Sequence, residues 1–249
     1  MKSLTIFYPA YNEQSYIKRA VEAAKEVGEY MVREKEISGY EILIVNDGST
    51  DATAATAEEI VQKDDCVRVV HHQKNTGLGG AVRTGFANAR NDVVLYSDID
   101  LPFDMMELRK AFRLMRYYEA DIVSAFRFDR TGEGLRRLMY SRLYNALIQF
   151  LFNLRVKDIN FSFKLIRKEV FGRVELKSEG SFIDAELLIK AKQSGMKIIQ
   201  FGTDYFPRTR GVSTLSSWPT IQKILTEMMQ LRREMKSGRT DGAAAEISR

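Results

Sequence analysis

Between residues 4 and 124, short runs of Val, Ile, Leu and Tyr recur, each followed by a longer stretch whose apolar side chains return every three or four positions. The runs Leu4 to Tyr8, Glu41 to Val45, Val67 to His71, Val93 to Ser97 and Asp121 to Ser124 predict strands. Helices are predicted near residues 14–34, 52–62, 79–90 and 105–118, the second opening after the cap signal Ser49-Thr50-Asp51. Strands alternating with helices in this way predict an α/β fold. A parallel sheet is covered by helices, and ligands are expected in the crevice outside the carboxyl ends of the strands. After residue 125 the rhythm changes to a basic segment, a long apolar helix, a strand near Ser162 to Ile166, a helix from about Asp184 to Ser194 and a strand near Lys197 to Phe201. No Pro, Gly or Ser-rich linker intervenes, so residues 1–236 read as one domain: a first half at 1–125, a second at 126–215 and an amphipathic helix at 216–236. Residues 237–249, SGRTDGAAAEISR, are small, polar and charged and are expected to be a disordered tail.

Composition narrows the setting. With 249 residues, 45% of them hydrophobic, the chain can bury a sizeable core. A net charge of +5 favours anionic partners such as phosphorylated ligands or acidic lipid surfaces. Basic and aromatic residues are too sparsely interleaved to suggest nucleic acid. The single Cys66 excludes an internal disulfide, and MKSLTIFY lacks the apolar core of a secretory signal, so a cytoplasmic setting is expected. The longest uncharged, largely apolar run, Leu143 to Leu154, falls short of the roughly 20 residues that span a bilayer.

Candidate chemistry gathers at the strand ends. The first strand runs into Pro9-Ala10-Tyr11-Asn12-Glu13, the second into Asn46-Asp47-Gly48-Ser49-Thr50-Asp51, and the fourth into Ser97-Asp98-Ile99-Asp100. In a parallel sheet these ends converge on one crevice, where two acids spaced i, i+2 can both reach a hard divalent cation such as Mg²⁺ or Mn²⁺. The stretch Asn75 to Gly85 (NTGLGGAVRTG) follows a strand and opens a helix, but Val82 breaks the dinucleotide-binding glycine register. Its Gly77 and Gly79 are expected to allow close backbone approach to a ligand, with Arg83 and a helix N-terminus adding positive potential. His71 and His72 lack partners at zinc spacing and are read as structural or surface residues.

Pro9-Ala-Tyr11-Asn-Glu13, Asn46-Asp47-Gly-Ser-Thr-Asp51, Asn75-x-Gly77-x-Gly79-Gly80-Ala-Val-Arg83-x-Gly85 and Asp98-x-Asp100 together resemble the family 2, GT-A-type glycosyltransferases. Ser124-x-x-Arg127, Asp158-x-x-x-Ser162-Phe163-Lys164, Phe182-x-Asp184-x-Glu186-Leu187-Leu188 and Arg208-x-x-Gly211-x-Ser213 are similar to the dolichyl-phosphate mannose synthases and glucosyltransferases within it. The resemblance spans roughly residues 3 to 215. It implies a GT-A fold whose first half binds a GDP- or UDP-sugar and whose second half meets a polyprenyl phosphate acceptor. It further implies that Pro9, Tyr11 and Glu13 frame the nucleoside, that Asp47 bonds the base, and that Asp98 and Asp100 hold the metal. Arg127, Arg137, Ser141 and Arg208 fall where that subfamily gathers the acceptor phosphate. Pro102, Ser162 and Thr214 depart from the family's usual residues.

A lipid phosphate is already an anionic nucleophile, so it requires arginines more than a general base. A soluble hydroxyl acceptor is the alternative; it must lose a proton, which would make Asp184 or Glu186 the base. A catalytically silent nucleotide-sugar-binding module is a further alternative, which the intact acids argue against. Two apolar stripes bear on the lipid. Leu138, Met139, Leu143, Leu147, Ile148, Leu151 and Phe152 form one; Trp218, Ile221, Ile224, Leu225, Met228 and Leu231 form the other. With Arg136, Arg137, Arg142, Arg232 and Arg233 alongside, they suit an interfacial helix or a core-packing one. The reading is an inverting hexosyltransferase peripheral to the cytoplasmic membrane face; the oligomeric state is left open.

Overall fold

The computed structural model describes residues 2–129, 135–206 and 218–246, with side chains described at 2–129, 138–206 and 220–235. Strands β1 (Leu4–Ala10), β2 (Tyr40–Asn46), β3 (Val67–His71), β4 (Val93–Tyr96) and β5 (Ile122–Arg127) alternate with helices α1 (Ile17–Arg33), α2 (Thr53–Val61), α3 (Gly77–Asn88) and α4 (Glu107–Tyr117). Then follow α5 (Leu135–Phe152), β6 (Lys164–Arg167), a 3₁₀ turn at Lys168–Gly172, α6 (Ile183–Gln193), β7 (Ile198–Thr203) and α7 (Trp218–Glu246). The predicted elements are all present, shifted at their ends by up to three residues. The last helix is assigned as far as Glu246, beyond the boundary at 236 read from the sequence.

The strands form one seven-stranded sheet in the order β3-β2-β1-β4-β6-β5-β7. All neighbours are parallel except β6, which runs antiparallel to both β4 and β5. From β1 the chain winds outward through β2 and β3, then returns to place β4 on the other side of β1. That reversal opens a crevice at the carboxyl ends of β1 and β4, the usual ligand position in such sheets. Both faces of the sheet are covered, which is why the central strands read as nearly continuous apolar runs. Ile6, Tyr8, Ile42 and Ile44 pack with residues of α1 and α4 on one face; Phe7, Leu43, Val45 and Tyr96 pack with α3, α5, α6 and α7 on the other.

Candidate active site

The crevice is framed by the loops after β1, β2 and β4, the first two tied to each other. The β2 loop is sewn to the β1 loop by Asp47 N–H donating to Ala10 O (2.8 Å), Thr50 N–H to Asn12 Oδ1 (2.9 Å) and Ala52 N–H to Gln14 Oε1 (2.9 Å). In return Asn12 and Glu13 donate their N–H groups to Ser49 Oγ (3.0 Å) and Thr53 Oγ1 (2.8 Å). Asn12 takes a left-handed φ of 57°, which asparagine tolerates better than most residues. Asp51 Oδ1 accepts from Thr53 N–H (2.9 Å), so the cap signal is used at the opening of α2. Pro9, Tyr11 and Glu13 thus lie on a fixed rim, with Tyr11 exposed.

Asp47 is buried at the crevice floor. Its Oδ1 accepts from Thr76 N–H (2.8 Å) and Thr76 Oγ1–H (2.7 Å) and lies 2.6 Å from His72 Nδ1. His72 Nε2 continues the chain to Thr84 Oγ1 at 2.8 Å. The histidines are structural, as expected, yet His72 does more than fill surface: it helps fix the orientation of Asp47. A hollow of about 670 Å³ lined by His71, His72, Gln73, Lys74 and Thr76 opens beside this array.

Asp98 and Asp100 follow β4 directly. Ile99 between them is buried in the core, while Asp98 and Asp100, at the turn that follows the strand, are half-buried. Leu101 adopts a left-handed φ of 54°, a strained conformation for a leucine, and this turn carries Pro102 and Phe103 into the interior. Pro102 O accepts from Phe206 N–H at 2.9 Å, anchoring the acid loop from the far side. Two carboxylates are hard oxygen donors suited to Mg²⁺ or Mn²⁺. Among the described residues no cluster of three His, Cys, Asp or Glu could form an all-protein cage, so a cation here would take further oxygens from a ligand or water.

Three expectations take a different form. The glycine-rich loop uses its freedom against the protein: a Cβ on Gly77, whose φ is 79°, would lie 2.6 Å from Glu179 O, and one on Gly79 would collide with Ser178 O. Gly79 N–H donates to Glu179 O (2.8 Å), and Arg83 bonds the carbonyls of Lys177 and Ser178. The close approach is therefore made to the 177–180 loop.

Glu186, read as a candidate base, is buried and accepts from Lys177 N–H (3.0 Å), Ser178 N–H (2.8 Å) and Lys190 Nζ (2.6 Å). Burial pushes its carboxyl up, but Lys190 and the backbone donors outweigh it and hold it below the usual range. It is a loop anchor. Asp184 is likewise buried and paired with the fully buried Lys164, Nζ to Oδ1 at 2.6 Å; Lys164 also donates to Phe161 O at 2.9 Å. Burial raises the Asp184 carboxyl above its ordinary value against the pull of Lys164.

Arg127 does not stand open to a phosphate. Its fork grips Asp158, Nε to Oδ2 and Nη2 to Oδ1 both at 2.6 Å, and its guanidinium lies over the rings of Tyr205 (4.9 Å) and Phe161 (5.5 Å). With side chains 8% and 7% exposed, the pair ties the end of β5 to the segment before β6. Ser141 is half-buried on α5. The side chain of Arg137 and the whole of Arg208 lie outside the described residues. Sequence reasoning foresaw neither the bond of His72 to Asp47 nor the pairings Arg127–Asp158 and Lys164–Asp184. A lysine inside the apolar run Phe163 to Ile166 was the available signal for a buried ion pair.

Comparison with known proteins agrees with this geometry. Residues 5–174 match the family model described as Glycosyl transferase family 2. The chain is 30% identical over 210 residues to the glycosyltransferase AglD of Haloferax volcanii, which covers 82% of this chain but only 33% of that relative. It is 27% identical over 236 residues to the dolichyl-phosphate beta-glucosyltransferase of Homo sapiens (89% of this chain, 72% of that one). It is 30% identical over 188 residues to the polyprenol monophosphomannose synthase of Mycolicibacterium smegmatis (70% of each). Among solved structures, glucosyl-3-phosphoglycerate synthase from Mycobacterium tuberculosis superposes with a TM-score of 0.66 at 20% identity, covering 90% of this chain and 79% of that one. The strand-end acids sit on the fold these proteins share, and the chain belongs to glycosyl transferase family 2, a glycosyltransferase built on the GT-A fold.

Proposed function

We propose that this enzyme moves a hexose, with inversion, from a nucleoside diphosphate sugar to a polyprenyl phosphate, with Asp98 and Asp100 holding a divalent cation on the donor diphosphate. The observation that carries the reading is the placement of these two acids beside β1 and its fixed loops, at the sheet's reversal point. The names of the human and mycobacterial relatives support the lipid phosphate and the hexose. The metal is supported by the donor set and by the related fold of a synthase captured with Mn²⁺ and UDP-glucose. Bound there, Mg²⁺ or Mn²⁺ would offset charge growing on the leaving diphosphate.

The protein's own residues do the rest. Asp47, oriented by Thr76 and His72, is placed to bond the base of a GDP- or UDP-sugar, while Pro9, Tyr11 and Glu13 frame the nucleoside. Gly77 and Gly79 act by letting the 177–180 loop close against α3. The acceptor phosphate is gathered by Arg137, Ser141 and Arg208; Arg127 acts by positioning the segment that carries Asp158. No general base is needed for an acceptor already ionised. The hydroxyl-acceptor alternative loses Glu186 to loop anchoring, and Asp184 would have to act from within an ion pair.

The lipid reading includes peripheral attachment to the cytoplasmic membrane face. Among the described residues no helix is long and apolar enough to cross a membrane. The two apolar stripes divide: Ile148, Phe152, Met228 and Leu231 are core residues. Met139 (70% exposed), Leu143 (68%) and Phe150 (83%) share an outer face of α5, and Leu225 and Met229 are exposed on α7. These five would enter the interface.

The test incubates the protein with radiolabelled GDP-mannose or UDP-glucose, Mg²⁺ or Mn²⁺ and polyprenyl phosphate. Metal-dependent label in the organic phase supports the proposal; label on soluble alcohols instead would move the acceptor to the hydroxyl class.

A further inference from the structure

The two oxygens of the Asp47 carboxylate are used unequally. Oδ1 accepts from Thr76 N–H (2.8 Å) and Thr76 Oγ1–H (2.7 Å), and His72 Nδ1 approaches the same atom at 2.6 Å. A carboxylate only accepts, so Nδ1 carries the proton and His72 is a third donor. Three donors more than fill the two lone-pair sites of one oxygen. Among the described residues Oδ2 receives no donor, and it is not one of the side-chain oxygens that the fold seals away without a partner. Oδ2 is therefore the acceptor that Asp47 leaves to the crevice.

The arrangement is held from several sides. His72 Nε2 lies 2.8 Å from Thr84 Oγ1 on α3, which fixes the ring, and Thr76 Oγ1 lies 3.0 Å from Nδ1. Asp47 N–H bonds Ala10 O (2.8 Å) and His72 N–H bonds Asn46 O (2.9 Å), so the carboxylate and its donors rest on adjacent strand ends. His72 and Thr76 also line the hollow that opens beside them.

Nucleobases differ in what their pairing edges offer. Guanine presents two adjacent donors, N1–H and N2–H, which match both oxygens of a free carboxylate. Uracil presents one, N3–H, between two carbonyls. Cytosine carries an acceptor, N3, in that place. A carboxylate with one oxygen filled and one free fits the single donor. The second N–H of guanine would find no lone pair, and cytosine N3 would face a negative oxygen. Leaving a polar group unpaired on binding is what makes such a site selective.

We infer that Asp47, with Oδ1 capped by His72 and Thr76, selects uridine over guanosine in the sugar donor. The inference rests on the proposed transferase reading, in which Asp47 bonds the base, and narrows the donor to a UDP-sugar. His72 and Thr76 are positioning residues that act through Asp47.

The experiment measures Kd for UDP, GDP and CDP in Mn²⁺ by calorimetry, and the melting temperature, for the full chain as wild type, Asp47→Asn and His72→Phe/Thr76→Ala. Wild type should bind UDP roughly 10-fold or more tighter than GDP or CDP. Asp47→Asn keeps an oxygen under the three donors and turns an N–H group toward the base, so the preference for UDP over CDP should reverse. A purely structural aspartate would not produce that reversal. The double variant frees a lone pair on Oδ1 and should narrow the gap between UDP and GDP to about 3-fold or less. Wild type that binds GDP or CDP as tightly as UDP overturns the inference while the transferase reading stands, and this panel decides even where a variant does not fold. A folded double variant with an unchanged gap, or a folded Asp47→Asn that still prefers UDP, also overturns it. If wild type binds none of the three nucleotides, the donor reading itself fails, and uridine selection with it.

Discussion

Arg127 offers the sharpest division between a residue that binds substrate and one that shapes the site. Replacing it by Met removes a fork that makes two 2.6 Å bonds to Asp158 and leaves that carboxylate buried, with its side chain 7% exposed, without its guanidinium. Breaking a buried pair from one side costs about 3 to 5 kcal/mol, because the remaining charge keeps its desolvation penalty. Against a total stability on the order of 5 to 15 kcal/mol, the loss is large. Urea unfolding followed by circular dichroism should therefore show a much lower midpoint with an unchanged slope. The double variant Arg127→Met/Asp158→Asn should recover much of the loss. It removes the buried charge that has lost its guanidinium, and asparagine tolerates the left-handed φ of 50° at position 158. If Arg127→Met instead unfolds within about 0.5 kcal/mol of wild type, the typical scatter of a surface substitution, while transfer collapses, the guanidinium serves substrate and the reasoning fails.

Asp98→Asn and Asp100→Asn should each cut transfer on the order of 100-fold or more with melting temperature preserved, and near-normal turnover with metal still required would remove them from the site. Leu143→Ser/Phe150→Ser/Leu225→Ser should lose binding to anionic vesicles in a sedimentation assay at low salt while unfolding like wild type. Each fully buried large apolar side chain contributes about 1.5 to 3 kcal/mol and partial insertion less, and wild type that ignores vesicles would refute attachment. The Glu186 carboxyl, held below its usual range, binds its proton more readily when unfolded. Its stabilising contribution is present above about pH 4.3 and lost as pH falls through the lower folded value, so Glu186→Gln should flatten the acid limb of stability against pH. An acid limb identical to wild type would show that the anchor contributes nothing.

Local signals carried the strands, the helices and the acid pair, because strand alternation and an i, i+2 spacing are written in consecutive residues. What escaped depends on partners distant in sequence. Gly77 and Gly79 were legible as places of close approach, but the backbone they approach is about 100 residues away at Ser178 and Glu179. Arg127 was read through the family resemblance as gathering the acceptor phosphate, while its pairing with Asp158, in the segment before β6, shows only in the fold. The antiparallel setting of β6 follows from pairing with β4 and β5, which the short apolar run Lys164–Arg167 cannot specify by itself. Glu186 read as a candidate base, and only the fold shows the 177–178 backbone wrapped around it.

The central claim is transfer to an acceptor that is already an anion, without a general base. The most direct measurement gives the enzyme polyprenyl phosphate and free polyprenol of the same chain length side by side, with labelled donor and Mn²⁺, and counts label in each lipid after chromatography. Label on polyprenyl phosphate alone, in wild type and in Glu186→Gln that remains folded, is the predicted result. Equal labelling of polyprenol, abolished by Asp184→Asn, would contradict it and make this enzyme a hydroxyl transferase with an aspartate base.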